Sequence, residues 1–304
     1  MDAHLGGLFL NGSRAEKGLD LHRLQSEGPV LLRNDFTSIG EVDLGSADIG
    51  GNLEFSGGTF EANTDSVTAI LLSEAHVQGS VVLTDEFSVT GQVNCVGMRI
   101  DGQFVCRNAQ LSNPGGDALD LDAAQIGRDV ILRGPLRFDG NVNFSGAKVE
   151  GDIEVTDATI NGDFYGVGMK AGRRFIWQGI RGKIGLINLQ GARAGTLMDD
   201  LRSWDAAGQL ALSGFRYDQI DSNITVKERL AILRKKREWP VPFPKGYSAD
   251  TQPWVTTFAT FDPQPYSQYA AVLQAQGARV AAAMVLMERE RRLGQAAYRS
   301  SLAR

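Results

Sequence analysis

The first 220 residues repeat a short pattern in which two apolar residues flank one outward position and a glycine-bounded corner follows. The segments GNVNFSGAKV (140–149) and GDIEVTDATI (151–160) give its form as G-x-Φ-x-Φ-x-x-A-x-Φ, where Φ is apolar. Alternation with a period of two predicts a short strand with one buried face. Because a unit this small cannot bury its apolar face alone, neighbouring units must stack, which predicts a β-solenoid over residues 1–220.

Apolar pairs mark the successive units, and most pairs follow one another at a step of eleven residues. The pairs are Leu8/Leu10, Leu19/Leu21, Val30/Leu32, Val42/Leu44, Leu53/Phe55, Ile70/Leu72, Val81/Leu83, Val93/Cys95, Phe104/Cys106, Leu119/Leu121, Val130/Leu132, Val142/Phe144, Ile153/Val155, Phe164/Gly166, Phe175/Trp177, Ile187/Leu189 and, more loosely, Leu210/Leu212. The insertions EANTDS (61–66) and SNPGGD (112–117) follow the units of Leu53 and Phe104, which are four units apart. The twelve-residue steps also recur at every fourth unit. Two units per coil would place each irregularity on one edge of every second coil. The predicted fold is therefore a right-handed β-solenoid (β-helix) of ~11-residue half-coils with a C-terminal α-helical tail.

Two units per coil place the outward residue of each apolar pair alternately on two faces. One predicted face is mostly polar and carries Asp20, Asp43, Leu71, Asn94, Asp120, Asn143, Tyr165 and Asn188. The other carries Glu54 and Glu154 among five aliphatic residues, Leu31, Val82, Val105, Ile131 and Ile176. An exposed apolar strip predicts an interface, here one for a homo-oligomer. The alternative, that β-branched residues simply suit strands, stays open.

Cys95 and Cys106 occupy inward slots of two successive units. This position predicts buried free thiols, since a disulfide would need the two Cα atoms to lie within about 7 Å. Two cysteines and an N-terminus without a secretory pattern indicate the cytoplasm. The apolar run VAAAMVLM (280–287) is too short to span a bilayer, so any membrane contact is expected to be peripheral, on the inner face.

The charge changes sign along the chain, which indicates two parts with different roles. Residues 1–220 carry 18 Lys+Arg against 29 Asp+Glu, whereas residues 221–304 carry 13 against 7. The predicted domains are a solenoid (1–220), a basic helix with a Pro-rich linker (221–246) and a helical hairpin (247–304). The stretch NITVKERLAILRKKREW (223–239) reads as a helix with a cluster of basic residues. That cluster is a candidate site for an anionic membrane or a partner protein and comprises Lys227, Arg234, Lys235, Lys236 and Arg237. A solvated helix that covers the solenoid end is the alternative.

The predicted hairpin covers FDPQPYSQYAAVLQAQGARVAAAMVLMERERR (261–292). Its first helix is lined by Tyr266, Tyr269, Ala270 and Leu273. Its second is lined by Val280, Met284 and Met287, after a turn at Gly277. Open solenoid ends need a cover, so capping is the expected role of this segment.

No sequence motif points to a cofactor or a metal. The partial GxGxxA pattern at 166–171 coincides with inward slots of the repeat, without the following helix that a dinucleotide site requires. The three histidines are far apart in sequence, and no Cys/His cluster has ligand spacing. Paired carboxylates at Asp120/Asp122 and Asp199/Asp200 leave a polysaccharide-acting enzyme as an alternative. The acidic solenoid disfavours nucleic acid as a partner.

Several segments resemble a bacterial family of glycine-rich β-solenoid proteins commonly labelled "membrane-associated oxidoreductase", with a pentapeptide-repeat-like or bactofilin-like architecture. The resemblance rests on AQIGRDVILRGPLRFDGNVNFSGAKVEGDIEV (124–155), NPGGDALDLDAAQIG (113–127), GFRYDQI (214–220) and FDPQPYSQYAAVLQAQG (261–277). It implies a solenoid and membrane association, and the label implies redox activity, but it supplies no catalytic residues.

The sequence thus favours a non-enzymatic β-solenoid scaffold or binding protein, peripheral to the cytoplasmic membrane or bound to a partner through its basic helical tail. The alternatives are a membrane-associated oxidoreductase, as the family label says, and a polysaccharide-acting β-helix enzyme.

Overall fold

Parallel strands form one continuous sheet that winds through about nine turns and is followed by a C-terminal helical region; the described residues contain four helices. The structure is a computed structural model, and it describes residues 4–63, 66–234 and 261–302. The predicted β-solenoid with a helical C-terminal region is confirmed.

The strands are short in the first coils and merge into longer ones from the fifth coil onward. In the first part they are β1 (His4–Leu5), β2 (Leu8–Phe9), β3 (Arg14–Ala15), β4 (Leu19–Asp20), β5 (Gln25–Ser26), β6 (Val30–Leu31), β7 (Thr37–Ile39), β8 (Val42–Asp43), β9 (Asp48–Ile49), β10 (Leu53–Glu54), β11 (Thr59–Glu61), β12 (Thr68–Leu71), β13 (His76–Val77), β14 (Val81–Leu83), β15 (Phe87–Thr90), β16 (Gln92–Asn94) and β17 (Arg99–Ile100). In the second part they are β18 (Phe104–Asp120), β19 (Gln125–Ile126), β20 (Val130–Asn143), β21 (Lys148–Val149), β22 (Ile153–Tyr165), β23 (Lys170–Gln178), β24 (Arg181–Asn188), β25 (Arg193–Asp199), β26 (Ala207–Ala211) and β27 (Arg216–Ser222).

Each coil has four sides, which we name A to D in chain order. In the second coil, side A is β6, side B is β7, side C is β8 and side D is β9. Each predicted eleven-residue unit therefore supplies two sides, A with B or C with D, and two units close one coil.

The strand register confirms two units per coil. On side A, Val30 pairs with Leu53 and Leu53 with Val81, so each apolar pair lies over the pair two units earlier. On side C, Val42 pairs with Ile70 in the same way. Both insertions lie between sides B and C, after β11 and within β18, which is the single edge that the spacing predicted.

The inward residues form one core that runs the length of the solenoid. Aromatic rings stack along its C-terminal half, where Phe164 lies 4.7 Å from Trp177 and Trp177 lies 6.3 Å from Trp204, measured between ring centroids. Cys95 and Cys106 are fully buried free thiols, as predicted. Met169, in the partial GxGxxA stretch, is also a core residue.

Glycine is required at the corner between sides D and A because successive coils approach closely there. A Cβ atom on Gly50 would lie 2.3 Å from the carbonyl oxygen of Glu27 in the preceding coil. This separation is far below van der Waals contact, so only glycine lets the coils stack at strand spacing.

The helices are α1 (Leu201–Asp205), α2 (Val226–Leu233), α3 (Gln264–Ala275) and α4 (Arg279–Leu302). The sequence did not predict α1, which interrupts the last full coil. Helix α2 covers Val226–Leu233 of the predicted 223–239: a capping box of Thr225 and Glu228 starts it, and Arg234 is its C-cap. Residues 235–239 of that prediction lie outside the described residues.

One prediction for the hairpin is wrong. Tyr266, Tyr269, Ala270 and Leu273 of α3 are buried, as expected. In α4, however, the buried residues are Ala282 and Val285, whereas the predicted lining residues are exposed. Their exposed fractions are 79% for Val280, 50% for Met284 and 72% for Met287. Ala282 and Val285 share one apolar cluster with Tyr266 and Tyr269 of α3.

Candidate functional site

The C-terminal helices are attached to the solenoid by a buried ion pair. Asp199 ends β25 on side A and pairs in register with Trp177, so it occupies an inward slot that apolar residues fill in other coils. Arg229 of α2 reaches this carboxylate with both terminal nitrogens, Nη1 to Oδ2 at 2.5 Å and Nη2 to Oδ1 at 2.7 Å. The Asp199 side chain is 0% exposed and that of Arg229 is 5% exposed.

Further contacts hold the two side chains of this pair in place. The indole Nε1 of Trp204 donates to Asp199 Oδ2 at 2.6 Å, and Arg229 Nη2 donates to Ser222 Oγ at 3.1 Å. The guanidinium also lies over the ring of Tyr269, 5.9 Å from its centroid. Burial alone lowers the pKa of Arg229, but its hydrogen bonds to Asp199 outweigh that effect and raise the pKa above the ordinary value. Arg229 therefore stays charged, and α2 is fixed over the last coil.

In the sequence Asp199 stands out only as half of the carboxylate pair Asp199/Asp200, and Arg229 was not predicted to be a site residue. The available signal was the repeat itself, since a unit is missing between Ile187/Leu189 and Leu210/Leu212. The register places Leu197 and Asp199 in that slot. An acidic residue at an inward position requires a cationic partner from outside the repeat.

Helix α3 covers the open edge of the last strand with glutamine side chains. Gln264 Nε2 donates to the carbonyl of Phe215 at 3.3 Å, Gln268 Nε2 to that of Tyr217 at 2.6 Å, and Gln276 Nε2 to that of Ile220 at 2.9 Å. Main-chain groups of β27 that would otherwise pair with another strand are satisfied here. The expected capping role is consistent with these contacts.

Helix α4 presents an apolar face away from α3. Val280, Met284 and Met287 follow one another at helical spacing and are all exposed, and Tyr298 continues the same face at 66% exposure. We call these four residues the α4 face. At 100° per residue, Arg291 lies in the middle of the face and is paired with Glu288 at 2.7 Å.

The predicted basic cluster is only partly within the described residues. Lys227 is exposed on α2, and Arg234 forms an ion pair with Glu288 of α4 at 2.8 Å. The hydrogen bonds from Arg291 and Arg234 lower the pKa of Glu288 to about 2. Lys235, Lys236 and Arg237 lie outside the described residues.

The polar face predicted on side C is a ladder of turn-forming side chains. In successive coils Asn94, Asp120 and Asn143 accept a hydrogen bond through Oδ1 from the backbone N–H two residues on, at 3.0 to 3.1 Å. Asp20 and Asp43 do the same. This local bond is the Asx turn. The ladder's carboxylates and amides are therefore engaged in forming corners.

Asp120 is a buried member of this ladder, with the residue as a whole 8% exposed. Burial, together with the charges of Asp117 and Asp122, raises the pKa of Asp120 to about 6. Hydrogen bonds from the Asp122 N–H and from Asn143 Nδ2, the latter at 3.0 Å, offset part of that shift. The Asp120 carboxylate and the Asp122 backbone N–H thus form a structural corner.

The predicted aliphatic strip lies on side A. Val82, Val105 and Ile131 pair in register in three successive coils and are each half-buried. Glu54 separates this trio from Leu31, and Glu154 separates it from Ile176. Leu31 and Ile176 are only 6% and 8% exposed. The structure thus brings three of the five residues into one contiguous patch.

Side B contains an open groove of about 410 Å³. Its charged lining residues are Glu86, Asp157, Arg137 and Arg181, and Arg137 is paired with Asp139 at 2.7 Å. Within the described part of the chain, no group of three or more His, Cys, Asp or Glu residues could hold a metal ion. None of the described helices is long and apolar enough to cross a membrane.

These features define a β-solenoid repeat protein with a helical cap locked to its C-terminal end. No family model matches the chain, and comparisons with curated proteins and with solved structures find no match.

Proposed function

We propose that the chain is a non-enzymatic scaffold that binds an anionic membrane surface through its helical end. The observation that carries this proposal is the α4 face, which places Val280, Met284 and Met287 in solvent on one side of a 24-residue helix. A contiguous apolar face exposed to solvent marks a contact with a membrane or another protein.

The charges near this face favour a membrane. Arg291 lies within it, and residues 221–304 carry 13 Lys+Arg against 7 Asp+Glu. A long arginine side chain can extend from an apolar face to lipid headgroups. Burial of each large apolar side chain contributes about 1.5–3 kcal/mol, and each basic residue near anionic lipid contributes about 1 kcal/mol. Three apolar residues and the basic run 234–237 are enough for reversible binding.

The buried pair of Asp199 and Arg229 supports a scaffold role because it joins the helical end rigidly to the solenoid. A membrane-bound cap would therefore hold the solenoid in a defined orientation. The side-C carboxylates of Asp20, Asp43 and Asp120, which a polysaccharide-acting enzyme would need, are engaged in Asx turns. No contact among the described residues favours the oxidoreductase alternative.

Vesicle sedimentation tests this proposal. Wild-type protein is expected to pellet with phosphatidylglycerol-containing vesicles and to stay in solution with pure phosphatidylcholine. The variant M284E/M287E should lose pelleting, as should K235E/K236E/R237E. The matched control is F9E/V67E, which places the same charges on apolar residues that are 59% and 70% exposed in the solenoid. Pelleting unchanged in both test variants would remove the membrane from the proposal, and loss in the control as well would show a non-specific charge effect.

A further inference from the structure

Side D of the last four coils carries a row of basic residues. The register pairs Lys148 with Lys170, Lys170 with Arg193, and Arg193 with Arg216. All four residues are exposed. We call them the side-D ladder. Because paired strands lie about 4.8 Å apart, the four Cα atoms form a straight row roughly 14 Å long.

The cations of this ladder are unpaired, in contrast to many arginines elsewhere on the solenoid. Among the described residues no carboxylate forms an ion pair with any of the four. Arg33 pairs with Glu54 at 2.8 Å, Arg137 with Asp139 at 2.7 Å and Arg174 with Asp152 at 2.5 Å. These three arginines of sides A and B are thus paired, whereas none of the four side-D ladder cations has an ion pair among the described residues.

Like charges in directly paired positions are unfavourable. Two unit charges about 4–5 Å apart in water repel by about 1 kcal/mol. Four consecutive cations are also unexpected in a segment whose formal charge is −11, from 18 Lys+Arg and 29 Asp+Glu in residues 1–220. A bound polyanion would remove this repulsion.

We propose that the side-D ladder binds a linear acidic polysaccharide that carries one carboxylate per sugar and runs parallel to the solenoid axis. A single row of evenly spaced cations fits a single charged chain. Planar anionic lipid would also meet the acidic residues next to the row, since Glu150 and Asp218 follow Lys148 and Arg216 by two positions and are exposed.

Nucleic acid is a poorer fit to the same surface. Proteins that bind single strands combine cations with aromatic platforms for the bases. On side D the aromatic Tyr217 is buried, 7% exposed, and the positions two residues after Lys170 and Arg193 are the glycines Gly172 and Gly195. The ladder therefore offers charge and hydrogen-bond donors without a stacking surface.

The inference holds whether or not the α4 face binds a membrane, since the two surfaces share no residue. Its test is fluorescence anisotropy with labelled hexagalacturonate, at low and at raised salt. The variant K170E/R193E should weaken binding by about tenfold or more, and raised salt should weaken wild-type binding as well. K170A/R193A, which adds no new charge, should show a smaller loss in the same direction.

The matched control is R181E/K183E on side B. Both residues are exposed, neither has an ion pair within the described residues, and the change in net charge is the same. The control should bind within about twofold of wild type if position along the ladder matters more than total charge. Circular dichroism confirms that each variant is folded.

Three results would overturn the proposal. They are no anisotropy change with wild type, an equal loss in the side-B control, and competition by neutral dextran as strong as by unlabelled galacturonate. Binding of an oligothymidylate more tightly than galacturonate would assign the ladder to nucleic acid instead. Binding to phosphatidylglycerol vesicles that is tighter than binding to galacturonate and is lost in K170E/R193E would assign it to lipid.

Discussion

Asp199 and Arg229, thirty positions apart in sequence, form a two-pronged ion pair at the junction between the last coil and α2, with N–O distances of 2.5 and 2.7 Å. The aspartate belongs to the repeat and the arginine does not. This pair is a buried ionic contact between the solenoid and its helical cap.

Arg229→Ala should destabilise the cap, since it leaves a buried carboxylate without its partner. Removal of one partner of a buried pair costs about 3–5 kcal/mol. Urea unfolding followed by helical circular dichroism should show the helices melting before the solenoid. The double variant D199L/R229M, which restores an apolar residue to the inward slot, should recover most of the loss. A single variant within about 1 kcal/mol of wild type would contradict the role given to the pair.

Asp120 should make stability depend on pH in an unusual direction. Its pKa is raised from 3.8 to about 6 by burial, so the folded chain binds the proton more tightly than the unfolded chain. The contribution of protonated Asp120 to folding stability is fully present below the pKa of this group in the unfolded chain, and it is lost as pH rises through about 6. Asp120→Asn should therefore stabilise the protein at pH 7, by up to about 3 kcal/mol.

The substitution is structurally conservative because Asn94 and Asn143 occupy the same ladder in the adjacent coils. Urea midpoints between about pH 4 and pH 7 measure the effect. Asp43→Asn, at the equivalent ladder position, is the matched substitution for comparison. A profile that D120N does not alter would contradict the raised pKa.

The thiols of Cys95 and Cys106 should be inert in the folded protein. Burial raises the pKa of both thiols, and for Cys95 the charge of Asp120 acts in the same direction. Since the thiolate is the reactive form, labelling by a disulfide reagent should be slow in buffer and reach both cysteines in denaturant. Fast labelling of either thiol in native buffer would contradict its position in the core.

The side-A patch of Val82, Val105 and Ile131 remains a predicted interface between copies of the chain. If it is one, V82K/I131K should lower the mass measured by light scattering. The matched control is Q110K/T159K, which introduces two lysines at outward positions of side B. An unchanged mass in V82K/I131K would leave β-propensity as the explanation of these aliphatic residues.

The repeat could be predicted from the sequence because its cause is local. Alternation of apolar residues, a glycine corner and a fixed step appear directly in the chain, and they led to the correct pairing of Val30 with Leu53 and Val42 with Ile70. The α4 face could not be predicted in this way. A helix with apolar residues on two sides has two candidate buried faces, and tertiary packing buries Ala282 and Val285 while Met284 and Met287 stay exposed.

By itself the sequence determined the solenoid, its two units per coil and the inward position of the cysteines, since each follows from a period that neighbouring units share. Only the tertiary structure decided where the chain departs from that period. The partner of Asp199 and the exposed side of α4 depend on contacts between distant residues. Packing geometry sets those contacts, and no local pattern encodes it.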